Sequence, residues 1–169
     1  LVKPNRIKLL SGGLLTAILV IAAMLVYPKI FRQNTLEKMK ASGEVVSIAV
    51  MPFQNMTNDT VWNIWQNGIQ NELINNLTNS KELQVRQSES VTGLIQSRGI
   101  TNAASLTPSL ASEISKKLNA SVFVQGSIKQ VGSTIRVNAQ LIDSNTEDIF
   151  KSFQIDGTED KILHITDSL

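Results

Sequence analysis

The sequence contains no cysteine, and this absence excludes several kinds of chemistry. A disulfide framework, a thiolate nucleophile and a cysteine-ligated zinc site all require that residue. Histidine occurs once, as His164, so a zinc site made of several histidines is excluded too, and a surface or packing role is the better interpretation of this residue. The glycine-rich patterns of phosphate-binding loops and the G-x-S-x-G pattern of a nucleophile elbow are also missing. We therefore predict that the chain is not an enzyme and has no catalytic residues, no cofactor and no metal site.

Acidic residues are scarce in the first part of the chain, and this sets the distribution of charge. Residues 1–44 hold seven lysines and arginines against two glutamates, a net charge of +5, whereas residues 45–169 carry a net charge of −3. The mildly acidic second part lacks the basic surface that nucleic-acid binding requires, so we expect it to bind no nucleic acid. Basic residues beside an apolar segment are typical of contact with anionic lipid headgroups.

One long segment, residues 9–27, has no charge at all. A helix of these 19 residues would be about 28 Å long, which matches the hydrocarbon core of a bilayer. Ten of the 19 residues are leucine, isoleucine or valine, and Tyr27 and Pro28 suit the membrane interface and the end of a helix. We predict a single transmembrane helix over residues 9–27, in contact with the lipid bilayer.

Two other interpretations of residues 9–27 are weaker. A cleavable signal peptide has a shorter apolar core that ends at small residues, whereas this core is longer and continues into Tyr27 and Pro28. A helix buried in a soluble core is rarely apolar on every side. Gly13 and Ala17 lie four residues apart and would allow two such helices to pack closely as a homodimer, although ordinary small residues in a membrane span explain them as well.

Composition also indicates where the other segments of the chain begin and end. Residues 1–8 precede the membrane helix, and residues 28–44 form a charged stalk that ends at a Ser-Gly break. Residues 45–157 are the globular domain, and residues 158–169 begin a helix that the end of the chain truncates, so we interpret the chain as a piece of a longer protein. Basic residues on the two sides of the apolar segment are nearly balanced, and the positive-inside rule therefore does not decide which side of the membrane holds the domain.

The first half of the globular domain reads as strands alternating with helices. Residues 48–51 are an apolar run that predicts a buried first strand, and a helix with apolar residues three and four apart follows and ends near Asn79. A short second strand is predicted over residues 83–86. The later helices are bounded by residues with capping or stop chemistry: Ser90, Gly99, Thr107 and Pro108.

The second half reads as a meander of three strands. The first is predicted over residues 122–131, followed by a tight turn, and the next strand alternates apolar and polar residues from Ile135 to Leu141, which indicates one wet face. A third strand is predicted over residues 149–155, and Thr158 then caps a last helix. The order β-α-β-α-α-β-β-β-α predicts an α+β fold, a mixed β-sheet with helices packed on one face.

Three groups of residues invite a functional interpretation, and each has a simpler structural one. Residues 143–147 begin like a calcium loop, but Asp148 and Gln154 stand where glycine and glutamate are required, so an acidic hairpin turn is the better account. Trp62 and Trp65 would suit a ligand groove, yet both fit the buried helix stripe. A row of asparagines at every fourth position is more simply a solvated helix face than a recognition stripe: Asn63, Asn67, Asn71 and Asn75.

Five segments of the globular part carry recognisable motifs in a fixed order. They are residues 47–57 (SIAVMPFQNMT), 68–74 (GIQNELI), 83–86 (LQVR), 118–127 (LNASVFVQGS) and 132–143 (GSTIRVNAQLID). Together they resemble the amino-terminal-like domains of the TolB family, whose corresponding motifs are IAVLPF-x-N-M-S, DG-x-x-EELI, L-x-V with an arginine soon after, LGV-x-YVLEGS and G-x-x-x-RV-x-x-QLID.

The resemblance is incomplete at turns but has clear implications. Asn67 stands in place of an acidic residue, Glu147 in place of a turn glycine, and the Asp-Pro after the first motif is missing, so we expect differences in turns rather than in the fold. The resemblance implies the same α+β fold and a position outside the cytoplasmic membrane of a bacterium. On that basis we place residues 28–169 in the periplasm and residues 1–8 in the cytoplasm.

In the relatives that this resemblance implies, the domain often lies between a cytoplasmic output domain (winged-helix, cyclase or kinase) and C-terminal tetratricopeptide repeats. We therefore expect a protein-interaction or sensory module of a larger signalling protein, with a periplasmic protein partner at the sheet edges or the first helix. The alternative is a structural envelope-assembly component like TolB, without signalling output. An enzyme whose chemistry resides in this chain is the third hypothesis, and the lack of nucleophiles and bases disfavours it.

Overall fold

The computed structural model describes residue 43 and residues 45–158, all of which belong to the second of the two units into which the chain divides, Met39–Leu169. The predicted membrane helix over residues 9–27, nearly all of the predicted stalk and the predicted helix after Thr158 lie outside the described residues. Within the described part, no helix has both the length and the apolar character needed to cross a membrane.

The described residues form one β-sheet and three α-helices. Along the chain the elements are β1 (Val46–Val50), β2 (Gln54–Asn55), α1 (Asn63–Thr78), β3 (Leu83–Val85), α2 (Ser88–Ser97), α3 (Pro108–Lys117), β4 (Val122–Val131), β5 (Thr134–Asp143) and β6 (Ile149–Gly157). Short 3₁₀ turns, Thr60–Trp62 and Ala103–Ser105, precede α1 and α3. The predicted order is thus confirmed up to β6, with the two-residue strand β2 as an addition.

The sheet is mixed, as predicted. Its strand order is β3-β1-β4-β5-β6, with β2 also paired to β4. Strand β1 runs parallel to β3 and β4, whereas β4, β5 and β6 form an antiparallel meander. Parallel strands need crossover connections, and here these contain the helices. Helix α1 lies between β1 and β3, and α2 and α3 lie between β3 and β4.

Helices cover both faces of the sheet, which corrects the prediction that they pack on one face. Val50 belongs to a core with Ile69 and Leu73 of α1, whereas its neighbours Ala49 and Met51 belong to a second core. Successive residues of a strand point to opposite faces, so these are two separate cores, one on each side of the sheet. The second core contains residues of α2 and α3: Val91, Ile95, Ala111 and Ile114. A parallel strand such as β1 has apolar side chains on both of its faces because each face packs into one of the two cores.

Local chemistry explains where the helices begin and end. Thr107 caps α3 by accepting a hydrogen bond from the Leu110 N–H (3.4 Å), and Pro108 occupies the first helical position, as predicted. Gly99 follows α2 with a φ of +73°, the left-handed conformation expected of a glycine that stops a helix. Ser90 is not the cap of α2 that we predicted, because the helix already begins at Ser88.

Candidate functional site

Within residues 45–158, one half of the sheet has a polar face that no helix covers. On β5, residues 136, 138 and 140 point away from the core that holds Val137 and Ala139, and α2 and α3 cover only the other half of that side of the sheet. The register between β4, β5 and β6 places polar partners directly beside them. We call this surface the polar face, formed by Gln125, Ser127, Lys129, Arg136, Asn138, Gln140, Ser152, Gln154 and Asp156.

A groove of about 530 Å³ lies where the polar face meets the segment before α3. The carbonyl oxygen of Leu106 holds the segment before α3 against the sheet. It accepts hydrogen bonds from Gln54 Nε2 (2.7 Å) and Gln125 Nε2 (2.9 Å). Ser127 and Asn138 form the floor as directly opposed residues of β4 and β5. The groove is therefore lined by amide and hydroxyl groups, which both donate and accept hydrogen bonds, together with apolar residues such as Leu106 and Pro108.

Charge on the polar face is confined to three positions of its outer part. Arg136 and Asp156 form a bidentate pair, with Nε to Oδ1 and Nη2 to Oδ2 both at 2.8 Å. The hydrogen bond from Arg136 lowers the pKa of the Asp156 carboxyl below its ordinary value, and hydrogen bonding to Asp156 raises the pKa of Arg136. Lys129 is the ionisable residue that lines the groove itself. The groove offers hydrogen bonds and one positive charge.

The acidic turn after β5 uses its first carboxylate to stabilise itself. Asp143 is buried, and its Oδ1 accepts hydrogen bonds from the backbone N–H groups of Asn145 (2.7 Å) and Thr146 (3.0 Å). Glu147 has a φ of +61°, so the turn retains the left-handed conformation at the position where the TolB family has glycine. Within residues 45–158 no three carboxylates or histidines come together in a way that would hold a metal ion.

The other candidate residues occupy structural positions. Trp62 is buried in the core beneath α1, and Trp65, which is partly buried, packs against the same core. Of the asparagine row on α1, Asn63 accepts hydrogen bonds from Asn55 Nδ2 (2.7 Å) and Gln66 Nε2 (3.2 Å) at the start of the helix. His164 lies outside the described residues.

The sequence predicted part of the polar face but not the groove. Alternation on β5 indicated one wet face, and the structure places Asn138 and Gln140 on it. Nothing in the sequence indicated that Gln54 and Gln125, 71 residues apart, would donate to one carbonyl oxygen. That convergence depends on β2 pairing with β4, and a two-residue strand carries no periodicity to detect.

Comparison with solved structures identifies the fold. The C-terminal domain of LpoB from Salmonella enterica matches with a TM-score of 0.56 and 21% identity, over 73% of this chain and 91% of that one. The lipoprotein GNA1162 from Neisseria meningitidis matches with a TM-score of 0.56 and 21% identity, over 68% of this chain and 81% of that one. The chain thus has an LpoB-like α+β fold. TolB from Acinetobacter baumannii matches with a TM-score of only 0.43, which is too low to support an argument.

Comparison with known sequences finds one partial match and no family. No protein-family model matches the chain. A protein of Rhizobium meliloti (strain 1021) named "Putative adenylate cyclase 3" is 30% identical over 100 residues, which is 59% of this chain. The chain spans about 15% of the length of that protein.

Proposed function

We propose that this chain is the protein-binding part of a larger, membrane-anchored bacterial protein and that it has no enzymatic activity of its own. The polar face carries the proposal, because its groove presents amide and hydroxyl groups and a single ionisable residue, Lys129. General acid–base or nucleophilic catalysis needs groups that hold or release a proton at the reacting atom, held in position by a neighbour. A surface of neutral donors and acceptors is instead suited to binding.

A protein partner fits this surface better than a small molecule does. Pockets for small ligands are mostly apolar with a few polar groups, whereas about half of the surface of this groove is polar, from residues such as Gln54, Gln125 and Asn138. The polar face continues from the groove across three strands to Asp156, so the surface is much wider than a cavity. Interfaces between proteins that also exist apart are broad, polar at the rim and rich in hydrogen bonds.

Attachment to the cytoplasmic membrane is the second element of the proposal. The uncharged residues 9–27 support a single transmembrane helix, and the basic residues around them support contact with anionic lipid. GNA1162, which shares the fold, is by its name a lipoprotein, and a lipid is another means of holding such a domain at a membrane. We place the domain on the periplasmic side, following the resemblance to TolB-type domains.

A signalling role is the function we favour. The matched protein of Rhizobium meliloti is named as an adenylate cyclase, and this chain corresponds to only 15% of it, so most of that protein is available for other domains. We infer that the present domain binds a periplasmic protein and that an output domain beyond this chain, such as a cyclase, responds. Envelope assembly without signalling output is the second candidate, and the shared fold with LpoB and the lipoprotein GNA1162 favours it.

The binding function is tested by photo-cross-linking in living cells. A photoreactive amino acid at Asn138, on the polar face, is compared with the same amino acid at Asn75, exposed on α1, the first helix, which the sequence offered as another binding surface. We expect one discrete partner protein at position 138, none at position 75, and loss of the cross-link when Ser127→Arg fills the groove. If no protein is captured at position 138, or if Ser127→Arg leaves the capture unchanged, the polar face is not the binding surface.

Three further measurements test the remaining parts of the proposal. Alkaline phosphatase fused after residue 45 should be active in intact cells, and an inactive fusion would contradict the periplasmic location. Turnover of any substrate by the purified chain would contradict the absence of enzymatic activity. The coding sequence on both sides separates the two roles, because an output domain before residue 1 supports signalling, whereas a β-propeller after residue 169 supports an envelope scaffold.

A further inference from the structure

Strand β6 forms a long edge of the sheet. It has nine residues, contains no proline, and pairs with β5 on one side. No strand within residues 45–158 pairs with its other side. An edge of this length presents a row of backbone N–H and C=O groups that can pair with another strand. The opposite edge, β3, has only three residues and offers much less.

The side chains of β6 divide cleanly between the two faces of the sheet. Phe153 and Ile155 lie beside Ala139 and Val137, on the face that α1 covers, and Phe153 is still 37% exposed. Ser152, Gln154 and Asp156 lie on the polar face and are all exposed. The edge therefore combines an apolar side with a polar side, and any strand added to it must match both.

We propose that β6 pairs antiparallel with β6 of a second copy of this chain, about a two-fold axis that passes through Gln154. A two-fold axis perpendicular to the sheet keeps each face on its own side, so residues whose numbers add up to 308 oppose each other. Phe153 then lies opposite Ile155 of the second copy, Ser152 opposite Asp156, and Gln154 opposite itself. Each apolar side chain meets an apolar one and each polar side chain a polar one, which stabilises antiparallel strands.

The neighbouring symmetric registers fit less well. Moving the axis to Phe153 places Lys151 opposite Ile155, a charge against an apolar side chain. Moving it to Ile155 leaves Phe153 opposite Gly157, where the exposed ring has no side chain to cover it. Of these three registers, the axis at Gln154 is thus the one in which every residue from Ser152 to Asp156 faces a side chain of its own polarity. The pairing would join the two sheets into one and place the two polar faces side by side.

Two variants that place opposite charges at the proposed axis test this pairing directly. Gln154 is exposed, so Gln154→Lys and Gln154→Glu should both leave the fold intact. Like charges would then face each other in each variant alone, and we expect self-association to weaken about two- to fivefold, measured by energy transfer between labelled full-length chains in lipid vesicles. Mixing the two variants should restore association to the wild-type level or above. The matched control is Asn75→Lys with Asn75→Glu on α1, which should change nothing.

Disulfide trapping tests the register, and the absence of cysteine makes it unambiguous. Directly opposed residues of antiparallel strands have Cα atoms about 4.5–5.5 Å apart, within the range that a disulfide spans. Gln154→Cys should form a covalent dimer on mild oxidation, and Phe153→Cys should link to Ile155→Cys but not to itself, with Asn75→Cys as the control. Self-linking of Phe153→Cys in preference, failure of Gln154→Cys to link, or no rescue in the charge mixture would each overturn the proposal.

Discussion

The ring of Phe53 lies directly against the backbone of Gly126, with no space between them for a side chain. A β-carbon on Gly126 would sit 2.2 Å from Cε1 of Phe53 and 2.6 Å from the carbonyl oxygen of Asn138. Such distances are far inside van der Waals contact, so only glycine fits at this point of β4. The contact holds the chain after β1 against β4, and the next residue, Gln54, is thereby brought to the groove.

Replacing Gly126 by alanine should therefore destabilise the domain. Phe53 is fully buried and the second obstacle is backbone, so neither can move aside without disturbing the core. We expect a loss of about 1–3 kcal/mol in the free energy of unfolding, the usual cost of overpacking. Trp62 lies in this core and Trp65, the other tryptophan of the chain, packs against it, so urea unfolding followed by tryptophan fluorescence reports on it.

The matched control for this prediction is Gly93→Ala. Gly93 lies within α2, and a β-carbon there would meet nothing within 4 Å. Alanine should stabilise the helix by about 0.5–1 kcal/mol because glycine loses more backbone entropy on folding. If Gly126→Ala is as stable as wild type while Gly93→Ala behaves as expected, the packing of Phe53 on Gly126 is wrong.

Gln70 should be essential to the end of β1 although it belongs to a polar-looking helix. It is buried, and its Nε2 donates to the carbonyl oxygen of Val50 at 2.7 Å. Gln70→Leu leaves that buried carbonyl without this donor, which should cost about 1–3 kcal/mol in the free energy of unfolding. The neighbouring exposed Asn71→Leu should change stability by less than about 0.5 kcal/mol. Equal effects of the two substitutions, measured by thermal unfolding, would contradict this role.

The ion pair between α2 and α3 should make stability depend on pH. Arg98 directly follows α2 and forms a bidentate pair with Glu113 of α3, with Nη1 to Oε2 at 2.9 Å. The hydrogen bond from Arg98 lowers the pKa of the Glu113 carboxyl. A carboxyl whose folded pKa is lowered stabilises the fold above its ordinary pKa, and this contribution disappears as the pH falls through the lowered value.

We therefore expect Glu113→Gln to lower the melting temperature slightly at pH 7 and to match the wild type at pH values below the lowered pKa. Both residues are at the surface, so the difference at pH 7 should be small and should shrink further in high salt. The control is the Arg98→Gln background, in which Glu113→Gln should change the melting temperature little because the pair is already lost. A Glu113→Gln difference that grows on acidification would contradict the assigned pair.

How much of this fold the sequence predicts depends on how far apart the interacting residues are. Strand β4 was predicted with its observed limits, and the wet face of β5 was predicted too, because both depend on alternation within a few residues. The distribution of helices was wrong, since the apolar stripe of a helix does not reveal which face of a sheet it covers. Val50 and Met51 are both apolar, and only the topology assigns them to different cores.

The sequence also did not predict which polar residues are buried. Among the asparagines and glutamines of α1, composition does not distinguish Gln70, which is buried, from Asn71, which is exposed. Local preference does not predict the left-handed conformation of Glu147, because glutamate rarely adopts it, and the glycine at this position in TolB-type motifs was its signal in the sequence. These features follow from tertiary contacts that override local preference.

The groove itself yields the last prediction, from the two glutamines that share the Leu106 carbonyl oxygen. Because Gln54 and Gln125 both donate to it, either one alone still satisfies this buried acceptor. Gln54→Met or Gln125→Met should each cost about 0.5–1.5 kcal/mol, whereas the double substitution leaves the carbonyl without a side-chain donor and should exceed the sum by about 1 kcal/mol. Asn75→Met, an exposed substitution on α1 that does not line the groove, should add to either single substitution without excess. Strict additivity of the two glutamine substitutions would mean that they do not share the acceptor.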